Sequence, residues 1–176
     1  MQHAAADSVL VLVDLQARLM PHITHGDRVV AEALRLARIA QLLAVPVIGT
    51  EQHPDALGAN IAELKALCSS TVAKFHFDAC RDGLVERLPP ERGHAIVAGC
   101  EAHVCVLQTA LGLQAAGLTV TVVSDAVGSR TERNHQAALA RLAGAGITCA
   151  TVEMLAFEWL GDCRHPRFRE VLALVK

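Results

Sequence analysis

The chain alternates short apolar runs rich in β-branched residues with longer stretches of helical periodicity. The apolar runs are residues 8–13, 45–48, 70–73, 94–98, 118–123 and 147–152. Runs of this length with few polar interruptions read as strands buried on both faces. Between most of them, at 29–43, 101–116 and 131–143, apolar residues recur at helical spacing. Each such stretch is long enough to return the chain to the same end of a sheet. Alternating strand and helix with right-handed crossovers predicts an α/β fold: a six-stranded, mostly parallel, doubly wound (Rossmann-like) sheet between two helical layers. Gly117, Gly144 and Gly146 mark helix ends, Pro46 sits at a strand start, and residues 164–176 read as a closing amphipathic helix. No repeat, low-complexity tract or linker interrupts the pattern, so residues 1–176 are expected to form one domain, with roughly 70% of the unfolded surface buried.

In an open parallel sheet, ligands bind beyond the carboxyl ends of the strands. That rule selects Asp14-Leu-Gln16, residues 49–53, 74–77 and 99–105, and Ser124-Asp125. Asp14 closes a run of five apolar residues, where a carboxylate in dry surroundings suits a general base; the same position also suits a turn or helix cap. Lys74 follows the third strand and would emerge on the same edge, either to hold a carboxylate ionised or as a solvated surface lysine. Cys105 lies where the fourth strand passes into a helix, so a helix macrodipole would favour its thiolate; an inert core thiol is the other reading. A base, a cation and a thiol after the first, third and fourth strands converge if those strands are neighbours.

Val11-Leu-Val-Asp14-Leu-Gln16, Lys74-Phe75 and the segment 99–110 together resemble the isochorismatase-like (cysteine hydrolase) superfamily over nearly the whole chain. Gly49-Thr-Glu-Gln-His-Pro54 with Leu57-Gly58 further resembles the Thr-Glu-Gln-aromatic-Pro stretch of its isochorismatase-domain-containing subgroup, whose substrates are largely unassigned. The resemblance implies a triad: Asp14 accepts the thiol proton, Lys74 orients Asp14 and steadies charge, and Cys105 attacks a carbonyl-like carbon to give a thioester-type acyl-enzyme. It also implies an oxyanion hole from the backbone N–H groups of Glu101 and Cys105, shaped by a cis peptide between Cys100 and Glu101. Enzymes resembling true isochorismatase cleave a vinyl ether by protonation and need no thiol here, so Cys105 points to hydrolysis of a small amide, imide or related acyl compound at a C–N bond. Gln16, Leu19, His53, His76 and Phe77 are expected to line the substrate pocket.

Two other functions fit parts of the pattern. Nicotinamidases of the superfamily carry a metal on an Asp-x-His pair that would fall near Glu51-Gln-His53, with His76 as a further candidate ligand. That would make a metal-assisted nicotinamidase, although the expectation here is no metal. Cys100 close to Cys105, with the apolar composition, also suits a catalytically idle oligomeric or redox-sensing module. His103 is two residues from Cys105, a helical spacing that points the side chains apart, and His22 and His25 read as solvated.

Composition narrows the partners. Sixteen Lys and Arg against 18 Asp and Glu leave a net charge of −2 without a dense basic block, and there is one Trp and no Tyr, so no nucleic-acid surface is expected. No phosphate-binding loop occurs, and Gly144-Ala-Gly146 ends a helix instead of following a strand, so no nucleotide cofactor is expected. None of the six Cys pairs at CxxC spacing, and free thiols are predicted. The first residues lack a cationic leader and no apolar run spans a membrane, which makes a cytoplasmic, membrane-free protein the expectation. An apolar fraction of 52% and a mean hydropathy of +0.35 predict that some apolar surface closes against another subunit, giving a homo-oligomer.

Overall fold

The computed structural model describes residues 2–176. Six strands form one all-parallel sheet: β1 (Ser8–Val13), β2 (Val47–Gln52), β3 (Ser70–Lys74), β4 (His94–Cys100), β5 (Thr119–Gly128) and β6 (Thr148–Ala150). Their order is β3-β2-β1-β4-β5-β6, so the winding direction reverses between β1 and β4. The helices are α1 (Gly26–Leu42), the short α2 (Pro54–Leu57), α3 (Ala62–Leu67), α4 (Leu107–Ala115), α5 (Glu132–Gly144), α6 (Val152–Leu160) and α7 (Phe168–Val175). No helix of the described residues is long and apolar enough to cross a membrane.

Period-two alternation along β1 divides the core. Leu10 and Leu12 join the layer beneath α1, α3, α6 and α7, whereas Val9, Val11 and Val13 join the layer beneath α4 and α5. All six residues of β1 are buried, as a strand with a helical layer on each face requires.

Three elements depart from the sequence pattern. β2 begins at Val47 and continues through Thr50, Glu51 and Gln52, because each of these polar side chains finds a partner at the sheet edge. β5 runs on to Gly128 through Ser124-Asp125, which form a bulge where its register against β4 shifts between Val97 and Gly99. β6 ends at Ala150, and Thr151 caps α6 by accepting from the Met154 amide at 3.3 Å. α6 itself was hidden by an apolar run continuous with the strand before it.

Candidate active site

β1 ends in a sharp turn at Asp14, whose backbone takes the left-handed conformation at φ 50°, one that Asp tolerates better than most residues. Its amide donates to the Thr50 carbonyl at 3.2 Å, and its Oδ1 accepts from Thr50 Oγ1 at 2.6 Å. The side chain is fully buried at the point where the winding reverses. At this same edge, Gly99 in β4 adopts φ +121° and packs against the Val13 backbone; a Cβ there would lie 2.0 Å from the Val13 carbonyl oxygen.

Lys74 ends β3, with β2 between it and β1. Adjacent strands lie about 4.8 Å apart, so a partner two strands away is within reach only of a long side chain. Lys74 spans that gap: Nζ lies 2.8 Å from Asp14 Oδ2, with neither side chain exposed. The contact is ionic and off-axis, for Oδ2 receives no aligned hydrogen bond. Nζ donates instead to Gln52 Oε1 at 2.6 Å and to the His76 carbonyl at 3.4 Å. The three strands are therefore not simple neighbours, as convergence had required; the length of the lysine closes the distance.

After β4 the Cys100–Glu101 peptide is cis, and residues Ala102–Val106 form a single wide π-helical turn before α4. The Glu101 carbonyl accepts from both Val104 N at 3.0 Å and Val106 N at 3.1 Å. This turn presents Cys105 to the Asp14–Lys74 pair, with its thiol donating to Gln52 Oε1 at 3.8 Å. π turns of this kind recur at functional sites. Burial, reinforced by the Asp14 carboxylate and opposed by Lys74, pushes the Cys105 thiol up to about 12. A thiolate stabilised by a helix macrodipole is thus not what the fold provides; the resting sulfur is a buried thiol beside a carboxylate.

The remaining residues separate into rim and frame. His53, also left-handed at φ 39°, caps α2 by accepting from the Ala56 amide at 3.3 Å and meets Phe75 edge-on with ring centroids 5.3 Å apart. His76 is exposed and pairs with Asp82, its Nδ1 3.1 Å from Oδ1. Phe77 is half exposed and, with Phe75, His76, Asp78, Arg81 and Gln108, lines a hollow of about 240 Å³. Larger hollows exist, one of about 500 Å³ at the opposite end of β2, so size does not locate the chemistry.

Gln16 does not line the pocket. Its amide nitrogen donates to the carbonyls of Gln52 (3.0 Å) and Gly58 (2.6 Å), and its oxygen accepts from the Gln52 amide (2.8 Å). It therefore clamps the β2 end. Leu19 is partly buried and packs against the core layer beneath α1. The Glu101 side chain accepts from Arg130 Nε at 3.0 Å, which leaves only its backbone to serve the site. His103 pairs with Ser129 at 3.0 Å and Asn134 at 3.3 Å, and His22 and His25 are exposed.

Glu51 and His53 do not fit a metal. Alternation in β2 sends Glu51 to the other face, where Oε1 accepts from the Asn60 amide and from Lys65 Nζ, both at 2.9 Å. The same alternation turns Thr50 and Gln52 inward, and these are the two site residues that the sequence pattern did not single out. Their signal was the period-two spacing of polar residues at the end of β2.

The isochorismatase domain model matches residues 8–154. The chain belongs to the isochorismatase family. Among curated relatives, isochorismatase domain-containing protein 2 of Pongo abelii is 38% identical over 172 residues, covering 96% of this chain and 83% of the relative. Solved structures of the family superpose closely. MAR1 ribonuclease from Caenorhabditis elegans matches with a TM-score of 0.90 and 32% identity, covering 99% of this chain and 92% of that one. YcaC from Pseudomonas aeruginosa, solved with hexane-2,5-diol and covalent acrylamide, matches with a TM-score of 0.91 and 26% identity, covering 98% and 91%. The YcaC gene product of Escherichia coli, described as an octameric hydrolase of unknown specificity, matches at 0.88 and 26%, covering 98% and 95%. Family and fold place this chain among the isochorismatase-like hydrolases.

Proposed function

We propose that this protein is a cysteine hydrolase that cleaves a C–N bond in a small amide, imide or related acyl compound. The observation that carries the reading is the buried ion pair of Asp14 Oδ2 and Lys74 Nζ, 2.8 Å apart, beside the neutral Cys105 thiol. As sulfur attacks the carbonyl carbon, its proton passes to Asp14 Oδ2 and the carbonyl oxygen takes up negative charge. Backbone N–H groups of Glu101 and Cys105 receive that charge. Collapse breaks the C–N bond, and the proton on Asp14 leaves with the amine. Water then attacks the thioester, gives one proton to Asp14, and the departing sulfur recovers it. Lys74 orients Asp14 and steadies charge between these transfers.

The Pseudomonas aeruginosa YcaC was solved with covalent acrylamide, which supports a reading in which proteins of this fold carry a group reactive towards small amide compounds. The octameric state of the Escherichia coli protein supports assembly of this chain into a homo-oligomer. The decisive experiment incubates a panel of small amides and imides with the parent protein, Cys105→Ala and Asp14→Asn, and follows product together with acyl adducts by mass spectrometry. Turnover by the parent with an adduct on Cys105, lost in both variants, is the expected result. Full activity in Cys105→Ala overturns the nucleophile. RNA belongs in the panel because of the nematode neighbour's name, and turnover of RNA with no amide cleaved overturns the substrate class.

A further inference from the structure

Gln52 has no part in the mechanism above, yet its side chain lies at the centre of the site. Its Oε1 accepts the shortest hydrogen bond of the Lys74 ammonium, at 2.6 Å, and also faces Cys105 Sγ at 3.8 Å. The amide cannot flip without loss, because Nε2 donates to the Phe75 carbonyl at 2.8 Å. Its backbone is held on both sides by the Gln16 amide. One neutral oxygen is thereby fixed where both a cation and a thiol donate to it.

We propose that Gln52 is a positioning residue that keeps Cys105 in its thiol form at rest by competing with the sulfur for the Lys74 ammonium, whose shortest hydrogen bond it accepts. The inference rests on the hydrolase reading for its purpose, though not for its test. The charged groups facing the sulfur are Asp14 from β1 and Lys74 from β3; each acts on it through its charge and a side-chain hydrogen bond, Asp14 against the thiolate and Lys74 for it. If an N–H of Lys74 turned from Gln52 to the sulfur, the cation would favour thiolate before substrate arrived, and a thiolate is the form open to oxidation and stray alkylation. With Gln52 in place, the strongest hydrogen bond of the ammonium stays on a neutral oxygen until the attack hands the thiol proton to Asp14.

Two near-isosteric substitutions test this with opposite signs. Gln52→Glu sets a second carboxylate against the sulfur and opposes thiolate; Gln52→Met keeps the volume, removes the acceptor and frees an ammonium N–H for the sulfur. The full chain is labelled with iodoacetamide at one mildly alkaline pH, and Cys105, Cys100 and Cys163 are followed separately by peptide mass spectrometry, with Cys105→Ala as the blank. Labelling of Cys105 is expected to slow by about tenfold or more in Gln52→Glu and to quicken by about tenfold in Gln52→Met, each corresponding to about one unit of thiol acidity. The buried Cys100 and exposed Cys163 should not change. Loosened packing would instead quicken Cys105 in both variants and bring Cys100 with it, and that outcome overturns the proposal, as does no change in either. Either variant decides the sign if the other does not fold. Failure of the amide panel with the labelling pattern intact would overturn the hydrolase reading and leave the role of Gln52 standing.

Discussion

Lys74 Nζ lies 2.8 Å from Asp14 Oδ2 across an intervening strand, with neither side chain exposed to solvent. Burying two charges is costly, and breaking such a pair from one side leaves the other charge uncompensated. Lys74→Met and Asp14→Asn should therefore each lower the unfolding free energy by about 3–5 kcal/mol in denaturant titrations. The double variant Asp14→Leu with Lys74→Met should recover much of that loss while remaining inactive. If the double variant is as unstable as the sum of the singles, the pair is not coupled.

Asp14, Lys74 and Cys105 were legible in the sequence because each is a chemically active residue directly after an apolar strand, or one turn beyond it. Thr50 and Gln52 were reached only as members of the segment 49–53, since a strand expected to end at residue 48 left them in a loop, where period-two facing has no meaning. Gln16 was misread for a different reason. Its position at the strand edge was evident, but whether an amide meets ligand or backbone depends on a loop 42 residues away, where it bonds Gly58. α6 was hidden because Val152-Glu-Met-Leu-Ala-Phe prolongs an apolar run, and only the cap at Thr151 divides strand from helix.

The Cys105 thiol, pushed up to about 12 by burial and by Asp14, is protonated at neutral pH. Its labelling rate should climb about tenfold per pH unit, without a plateau, from about pH 7 to about pH 10. Asp14→Asn removes the anion that opposes thiolate, so labelling should quicken in the variant in which hydrolysis is lost. Both rates falling together would show that Asp14 acts on the thiol only through the fold.

Gly99 adopts φ +121° where β4 approaches the end of β1, and an added methyl would meet Val13 backbone atoms at 2.0 and 2.8 Å. Neither strand end can yield without moving Asp14. Gly99→Ala should cost about 3 kcal/mol or more and reduce turnover alongside stability. Gly144→Ala is the control: it lies at the end of α5 with nothing within 4 Å of the new methyl, and should be neutral or stabilising by up to about 1 kcal/mol.

At the opposite end of the sheet, His3 and His94 both reach Thr121 Oγ1, at 2.8 and 2.9 Å, with their rings 4.6 Å apart. A hydroxyl has one proton, so one imidazole accepts it and the other donates. His3 Nδ1 is paired with Glu158, which makes His94 the ring that must stay neutral. Burial, and then the charge of His3, lower His94 from its ordinary 6.5 to about 4. Between those values the unfolded chain binds more protons than the folded one, so stability rises with pH. The contribution is complete above about pH 6.5 and is lost as pH falls towards 4, by an amount of order 1–3 kcal/mol. Glu158, held below the usual carboxylate range chiefly by its bonds to His3 against the opposing effect of burial, acts in the same direction but at lower pH. In urea titrations across this window, His94→Gln should flatten the slope between pH 6.5 and 4 and keep the steeper fall beneath it. An unchanged slope would mean that His94 is charged in the folded protein.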